Sequence, residues 1–160
     1  ITGFYFTSVL NLEARGVKPE DIVALKYPDH GVELYGNAII ASPKLLAEKP
    51  EAVRAFLKAF AQGAKEAIAN PEAAIASLKA KDGLVNAPLE VKRLNLTIET
   101  AIDSQGARAE GFGRLRPERL QKMAEQVASA YTTKNPVPAS AVWNGSFLPT
   151  TAQLNVLPKK

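Results

Sequence analysis

The stretch from Leu34 to Asn70 limits what this chain can fold into more than any other part of it. Leu34-Tyr35-Gly36-Asn37-Ala38-Ile39-Ile40-Ala41 is an unbroken run of small and branched residues with no polar face to give to water, the pattern of a fully buried strand. Ser42-Pro43 ends it. From Glu51 to Ala69, the residues Val53, Phe56, Leu57, Phe60, Ala64, Ala67 and Ile68 fall on one stripe at helical period. A buried strand feeding an amphipathic helix is half of an α/β unit, and its backbone groups need strand neighbours on both sides. The expectation is a sheet with the helix stripe lying on it.

The first third of the chain offers candidates for those neighbours. Ile1 to Phe6 reads as a strand end whose Gly3 lets the backbone turn, with Phe4, Tyr5 and Phe6 at that turn. A helix follows from Thr7 or Ser8 to Arg15, with Gly16 as its C′ residue. Ile22-Val23-Ala24-Leu25 is a second short buried strand. Strand, helix, strand is a crossover between parallel neighbours, and parallel sheets gather ligand sites beyond the carboxyl ends of their strands. Those ends are Thr2 to Tyr5 and Lys26 to Leu34. The second contains Tyr27-Pro28-Asp29-His30-Gly31, which forms a turn for steric and side-chain reasons and equally suits ligand contact on a rigid scaffold. His30 is the only group that titrates near neutrality, and no Ser, Cys or second His completes a catalytic set by spacing. Asp29 and His30 therefore read as ligand hydrogen-bonders rather than as acid and base.

Further on, a proline device recurs. Lys49-Pro50-Glu51, Asn70-Pro71-Glu72, Ala87-Pro88-Leu89-Glu90 and Arg116-Pro117-Glu118 each place Pro in a first turn with a carboxylate against the positive helix end. They mark helices near 51–69, 71–80, 88–104 and 117–131, the third burying Val91, Leu94, Ile98, Ala101 and Ile102 and the fourth Leu120, Met123, Val127 and Tyr131. Ser104 to Leu115, with Gly106, Gly111 and Gly113, reads as a flexible connection, since it lacks the Lys-Ser/Thr ending of a phosphate-binding loop. From Thr132 the composition shifts to Pro, Asn and Thr. Ala141-Val142-Trp143 and Ser146-Phe147-Leu148-Pro149 would anchor an extended tail on the core, and Asn155 to Lys160 would be loose.

Composition narrows the function classes. At 160 residues, 46% hydrophobic and 22% charged, the chain can bury one sizeable core or two small ones. The formal charge of +4 is spread among acidic residues, as in Lys44, Lys49, Arg54, Lys58 and Lys65 beside Glu48, Glu51 and Glu66. That is a solvated helix face rather than a nucleic-acid patch. Zero Cys excludes disulfides and thiol chemistry, and one His removes most metal-site and triad schemes, so no cofactor is expected. No apolar run approaches the ~18 residues a membrane span needs, and no signal peptide stands at the start. Ile1-Thr2-Gly3-Phe4 looks like a strand entering a loop, so an N-terminal part of a longer protein is expected to be missing.

Taken together, Thr2 through Gly16, Tyr27-Pro28-Asp29-His30-Gly31, Leu34 to Ile40, Pro50-Glu51-Ala52-Val53 and Phe147-Leu148-Pro149 resemble the C-terminal half of bacterial substrate-binding proteins of ABC importers. The branch resembled is the NMT1/THI5-like one, grouped with thiamine-pyrimidine and nitrate/sulfonate/taurine binders. The resemblance implies an α/β, type II periplasmic-binding-protein fold, here partial and lacking the N-terminal strands of its first lobe. Residues 1–33 would be part of the smaller second lobe and residues 34–160 the C-terminal part of the first. It further implies a non-enzymatic, periplasmic or lipoprotein solute binder that captures a small organic molecule between the lobes and delivers it to an ABC permease. Gly3, Phe4, Tyr5, Asp29, His30, Tyr35 and Asn37 would line that cleft, with stacking on Phe4 or Tyr5 and polar recognition by Asp29 and Asn37. One departure stands out: pyrimidine binders of this group often carry an acidic residue just after the aromatic loop, where this chain has Phe6-Thr7-Ser8. The fungal thiamine-pyrimidine-forming enzymes share the fold but use a Cys-rich motif with iron, for which this chain has no residues. A solute-sensing domain is a third possibility. Without its sheet neighbours, the Leu34–Ala41 strand would expose an edge that invites self-association or swapping.

Overall fold

Prolines set the helix starts, because their fixed φ suits a first turn and their missing N–H costs nothing there. In a computed structural model that describes residues 2–133, 135 and 137–159, helices begin at Pro43 (α2, Pro43–Glu48), Pro50 (α3, Pro50–Ala69), Pro71 (α4, Pro71–Lys81) and Pro117 (α7, Pro117–Tyr131). Ile1, Pro136 and Lys160, which the sequence reading assigns to the opening strand and the tail, lie outside the described residues, as does Lys134. Ahead of α2 is α1, Tyr5–Glu13; α5 is Ala87–Thr97 and α6 Gln105–Glu110; two single turns follow α7, α8 at Ala139–Val142 and α9 at Thr151–Leu154. Side-chain oxygens satisfy the orphan first-turn amides: Ser42 accepts from Leu45 N–H, Asn70 from Ala73, Asn86 from Leu89 and Ser104 from Ala107. At the far end of α1, Gly16 adopts φ +88°. There Gly16 N–H donates to Glu13 O and Val17 N–H to Leu12 O, the glycine-closed helix end that Gly16 predicts.

The expected sheet does not form. Among the described residues there is no strand, so the fold is helical and not the α/β, type II periplasmic-binding arrangement. Tyr5 and Phe6 open α1 rather than ending a strand. Residues 22–26 and 32–42 run without helix, turn or bend, yet among the described residues no backbone hydrogen bond joins them to each other, and the few they make are local ones at their ends, such as Ile22 N–H to Pro19 O and Val32 N–H to Tyr27 O. The physical reason is pairing: an extended segment becomes a strand only when a second backbone lies within ladder distance. Their side chains consequently stay in water, with Val23 85%, Leu25 79% and Ile40 91% exposed.

With no sheet to lie on, the α3 stripe is only partly covered, and the end of the chain packs against the helix beside it. Arg54 donates to Ser146 O and stacks 4.8 Å over the Phe147 ring, while α9 packs further along the helix. Ala61 is the α3 residue that becomes fully buried; Phe56 and Phe60 stay half-exposed, stacked on each other and, through Phe60, on Phe112. Residues 155–160 are expected to be loose, and 155–159 of them are described. Leu154, Val156 and Leu157 are among the most buried side chains, with Leu154 2% and Val156 3% exposed, so residues 154–157 are a plug rather than a loose end. Thr150 and Gln153 close a capping box that starts the plug, Phe112 N–H donates to Leu154 O at 2.8 Å, and Arg108 donates to Pro158 O. Arg108 is itself gripped by both carboxylate oxygens of Asp103, whose hydrogen bonds hold the guanidinium above its ordinary pKa. The connection from Ser104 to Leu115 is thus not simply flexible; it contains α6 and forms the seat of the plug.

On the other side of the molecule, Arg93 of α5 ties down α1. It forks onto Glu90 and donates to the Phe6 and Thr7 carbonyls and to Asn11 Oδ1. Past Thr97, α5 widens into a π-helical turn, Ile98–Ile102. No helix among the described residues is long and apolar enough to cross a membrane.

Gly111 makes the seat possible. It sits at φ +104°, and a Cβ there would meet Leu154 Cβ at 2.8 Å. Gly111→Ala is expected to lower unfolding stability by about 2–4 kcal/mol, combining backbone strain with overpacking. Gly113→Ala, at φ +80° with nothing within 4 Å of the new Cβ, should cost only about 1–2 kcal/mol. Urea midpoints of the two variants check this; equal losses would mean that the Leu154 contact contributes nothing.

Candidate functional site

The seven candidate residues fall into two groups held by different elements. Gly3, Phe4 and Tyr5 open α1. Phe4 is its N-cap and stacks on Phe6 at 5.3 Å between ring centroids, with the planes 15° apart. A Cβ on Gly3 would lie 2.5 Å from Ser8 Oγ, so the small residue lets the entering chain pass close to the first turn. Tyr5, half-buried, has Lys26 Nζ 4.6 Å from its ring centroid. That contact brings the start of α1 against the chain just ahead of the Tyr27-Pro28-Asp29-His30 turn.

This turn is a short 3₁₀ helix, Tyr27–His30, closed by Gly31 at φ +79°. Asp29 N–H donates to Lys26 O, Gly31 N–H to Pro28 O and Val32 N–H to Tyr27 O, which consumes the backbone groups and leaves the side chains outward. Asp29 and His30 are exposed, and neither side chain has a partner among the described residues. The turn is therefore both a tight turn and a surface that offers polar groups.

Tyr35 and Asn37 belong to the second group. Tyr35 is clamped on α7: its hydroxyl accepts from Arg116 N–H at 2.9 Å, its own N–H donates to Met123 Sδ at 3.3 Å, and the Arg119 guanidinium lies 4.4 Å over its ring. Arg119 also donates to Glu33 O and Leu34 O, and Gln126 donates to Gly31 O. Such a fork of donors fixes the chain as it leaves the turn. Asn37 is exposed beyond this clamp. No hydrogen bond, ion pair or ring contact among the described residues joins Tyr35 or Asn37 to Tyr5, Asp29 or His30.

Neither of two concavities in the molecule is lined by these seven residues. One, about 630 Å³, lies along α3 at Ala55, Lys58, Ala59 and Lys65 beside Gln153; the other, about 240 Å³, lies at Arg108 and Gly111 beside Thr151. The aromatic start of α1 and the Asp29 turn form an open surface instead. Two cations absent from the seven candidates cover the tyrosines: Lys26 lies over Tyr5 on this surface, and Arg119 over Tyr35 in the second group. No local pattern announces them, because each meets a ring far away in the chain.

The NMT1/THI5 like family model matches residues 1–74, the stretch that contains every one of these candidate residues. Residues 1–74 are thus similar to the NMT1/THI5-like family. That similarity is consistent with a solute-binding role. No curated protein and no solved structure matches the chain. The NMT1/THI5-like region spans α1, both unpaired runs, α2, α3 and the first residues of α4.

The clamp on Tyr35 yields a direct test. Arg119→Ala removes two donors to carbonyls and one cation–ring contact, together worth about 1–2 kcal/mol on this partly exposed surface. The Tyr35 amide is expected to exchange with solvent roughly 5- to 30-fold faster, while far-UV circular dichroism keeps its helical signal. Unchanged exchange at Tyr35 would place the restraint elsewhere.

Proposed function

We propose that the NMT1/THI5-like region binds a small organic solute without transforming it, as the capture component of an ABC import system that passes its cargo to a membrane permease from the periplasm or cell envelope. The observation that carries this reading is the placement of Lys26 over Tyr5 beside the Asp29-His30 turn. A ring face stacks flat solutes, the neighbouring cation attracts an electron-rich or anionic group, and two outward polar side chains read the solute's edge. Phe4, exposed and stacked on Phe6, extends the platform. In the intact importer Asn37 would add a further polar contact. Capture rather than turnover suits the residue inventory, since zero Cys and one His leave the thiol and iron ligands of a thiamine-pyrimidine-forming enzyme without candidates in this chain.

Calorimetric titration of the chain with an aminopyrimidine, an aliphatic sulfonate and nitrate tests the proposal. Saturable heat is expected for at least one of them. Asp29→Ala should weaken binding about 10- to 100-fold, as for loss of one hydrogen bond to a charged group. Tyr5→Ala should weaken an aromatic solute about 2- to 10-fold. Absence of heat with all three, or product formed from any of them in an NMR time course, would defeat it.

A further inference from the structure

Gly36 to Ala41 are six consecutive residues whose backbone N–H and C=O groups make no hydrogen bond among the described residues. The segment is nevertheless not a loose loop. One end is pinned through Leu34 and Tyr35 to α7, and the other runs into Ser42, whose side chain caps α2. Between these anchors Ile39 and Ile40 stand exposed, Ile40 almost completely. A taut, apolar, hydrogen-bond-hungry edge of this kind is a template for another backbone.

Surface area indicates how much is left to cover. The chain exposes 11524 Å², whereas a compact monomer of its mass would expose roughly 7,800 Å². The excess is larger than one copy's share of an obligate homodimer interface, about 1,000–2,500 Å².

Charge points to the occupant. From Leu34 to Pro43 the chain carries no charge, and it is flanked by Glu33 on one side and Lys44 on the other. Antiparallel pairing of two identical runs sets the Glu33 end of each copy beside the Lys44 end of the other. Parallel pairing would bring like charges together, which disfavours it. The Ala38-Ile39-Ile40-Ala41 core has the uncharged, branched, proline-free composition of segments that pair tightly with their own kind. We propose that two copies of this chain associate through an antiparallel ladder formed by residues 36–41 about a two-fold axis near Ala38 or Ile39. A two-fold uses the same patch on both copies, so the contact is self-complementary.

Light scattering across a concentration series, combined with amide hydrogen exchange, tests this. The expected result is a species of twice the 17.2 kDa chain mass, with every second amide of residues 36–41 slowed on association. Adjacent N–H groups face opposite edges of a strand, so of Ala38→Pro and Ile39→Pro, both at exposed positions outside every helix, one deletes a ladder donor: circular dichroism should persist in both while the dimer dissociation constant rises at least 10-fold in one of them. A 17.2 kDa species at every concentration, a dimer in which all of the 36–41 amides exchange freely, undiminished dimer affinity in both Ala38→Pro and Ile39→Pro, or a different polypeptide holding this edge one-to-one would each overturn the proposal. Asp29→Ala keeps the two questions apart, because Asp29 lies outside the edge: this variant should dimerise unchanged whether or not it weakens solute binding.

Discussion

An extended backbone leaves water only when another backbone takes over its hydrogen bonds, and the architecture of this chain follows from where that condition is not met. Residues 22–26 and 32–42 have the composition of buried strands but no pairing partner among the described residues. From Gly36 to Ala41 the amides and carbonyls find no partner among the described residues, and Val23, Leu25, Ile39 and Ile40 stay exposed. The amphipathic face of α3, which such a sheet would have covered, is served instead by Phe112, by the Gly145–Phe147 turn and by α9. The result is a thin core in which Leu10, Ala61, Ile75, Leu120 and the Leu154–Leu157 plug carry most of the full burial.

Arginine compensates for the missing ladder. Arg54, Arg93, Arg108 and Arg119 each donate to carbonyls far along the chain, at Ser146, Phe6 and Thr7, Pro158, and Glu33 and Leu34 respectively. A guanidinium offers five donors in a rigid plane, so one side chain can fasten two segments at once. These bonds lie at or near the surface, where water competes for both partners, and they hold segments in place more than they deepen the energy of the fold.

The same division shapes the candidate site. Lys26 joins the aromatic start of α1 to the Asp29 turn, and Arg119 fastens Tyr35 to α7, so the NMT1/THI5-like region presents its aromatic and polar groups on an open surface. Backbone bonds close the Tyr27–His30 turn internally, which turns Asp29 and His30 outward and makes them accessible to a solute.

The starts of α3, α4, α5 and α7 were legible in the sequence, whereas α1 begins at Tyr5 with Phe4 as its N-cap, ahead of the Thr7 or Ser8 cap expected there. Pro at a first turn, Asn or Ser as cap and Gly16 at a helix end act through bonds spanning three to five residues, and local chemistry of that range can be read without knowing what lies opposite. The Tyr27–His30 turn was legible for the same reason. Only the tertiary structure decided whether Leu34 to Ala41 became a strand, whether Leu154 to Leu157 became tail or core, and which cations would cover Tyr5 and Tyr35. Each of those outcomes depends on a partner supplied from elsewhere in the chain: a second backbone, the gap left above Gly111, or an arginine one helix face away. Periodicity and composition record which residues seek burial or pairing, but not whether anything arrives to provide it.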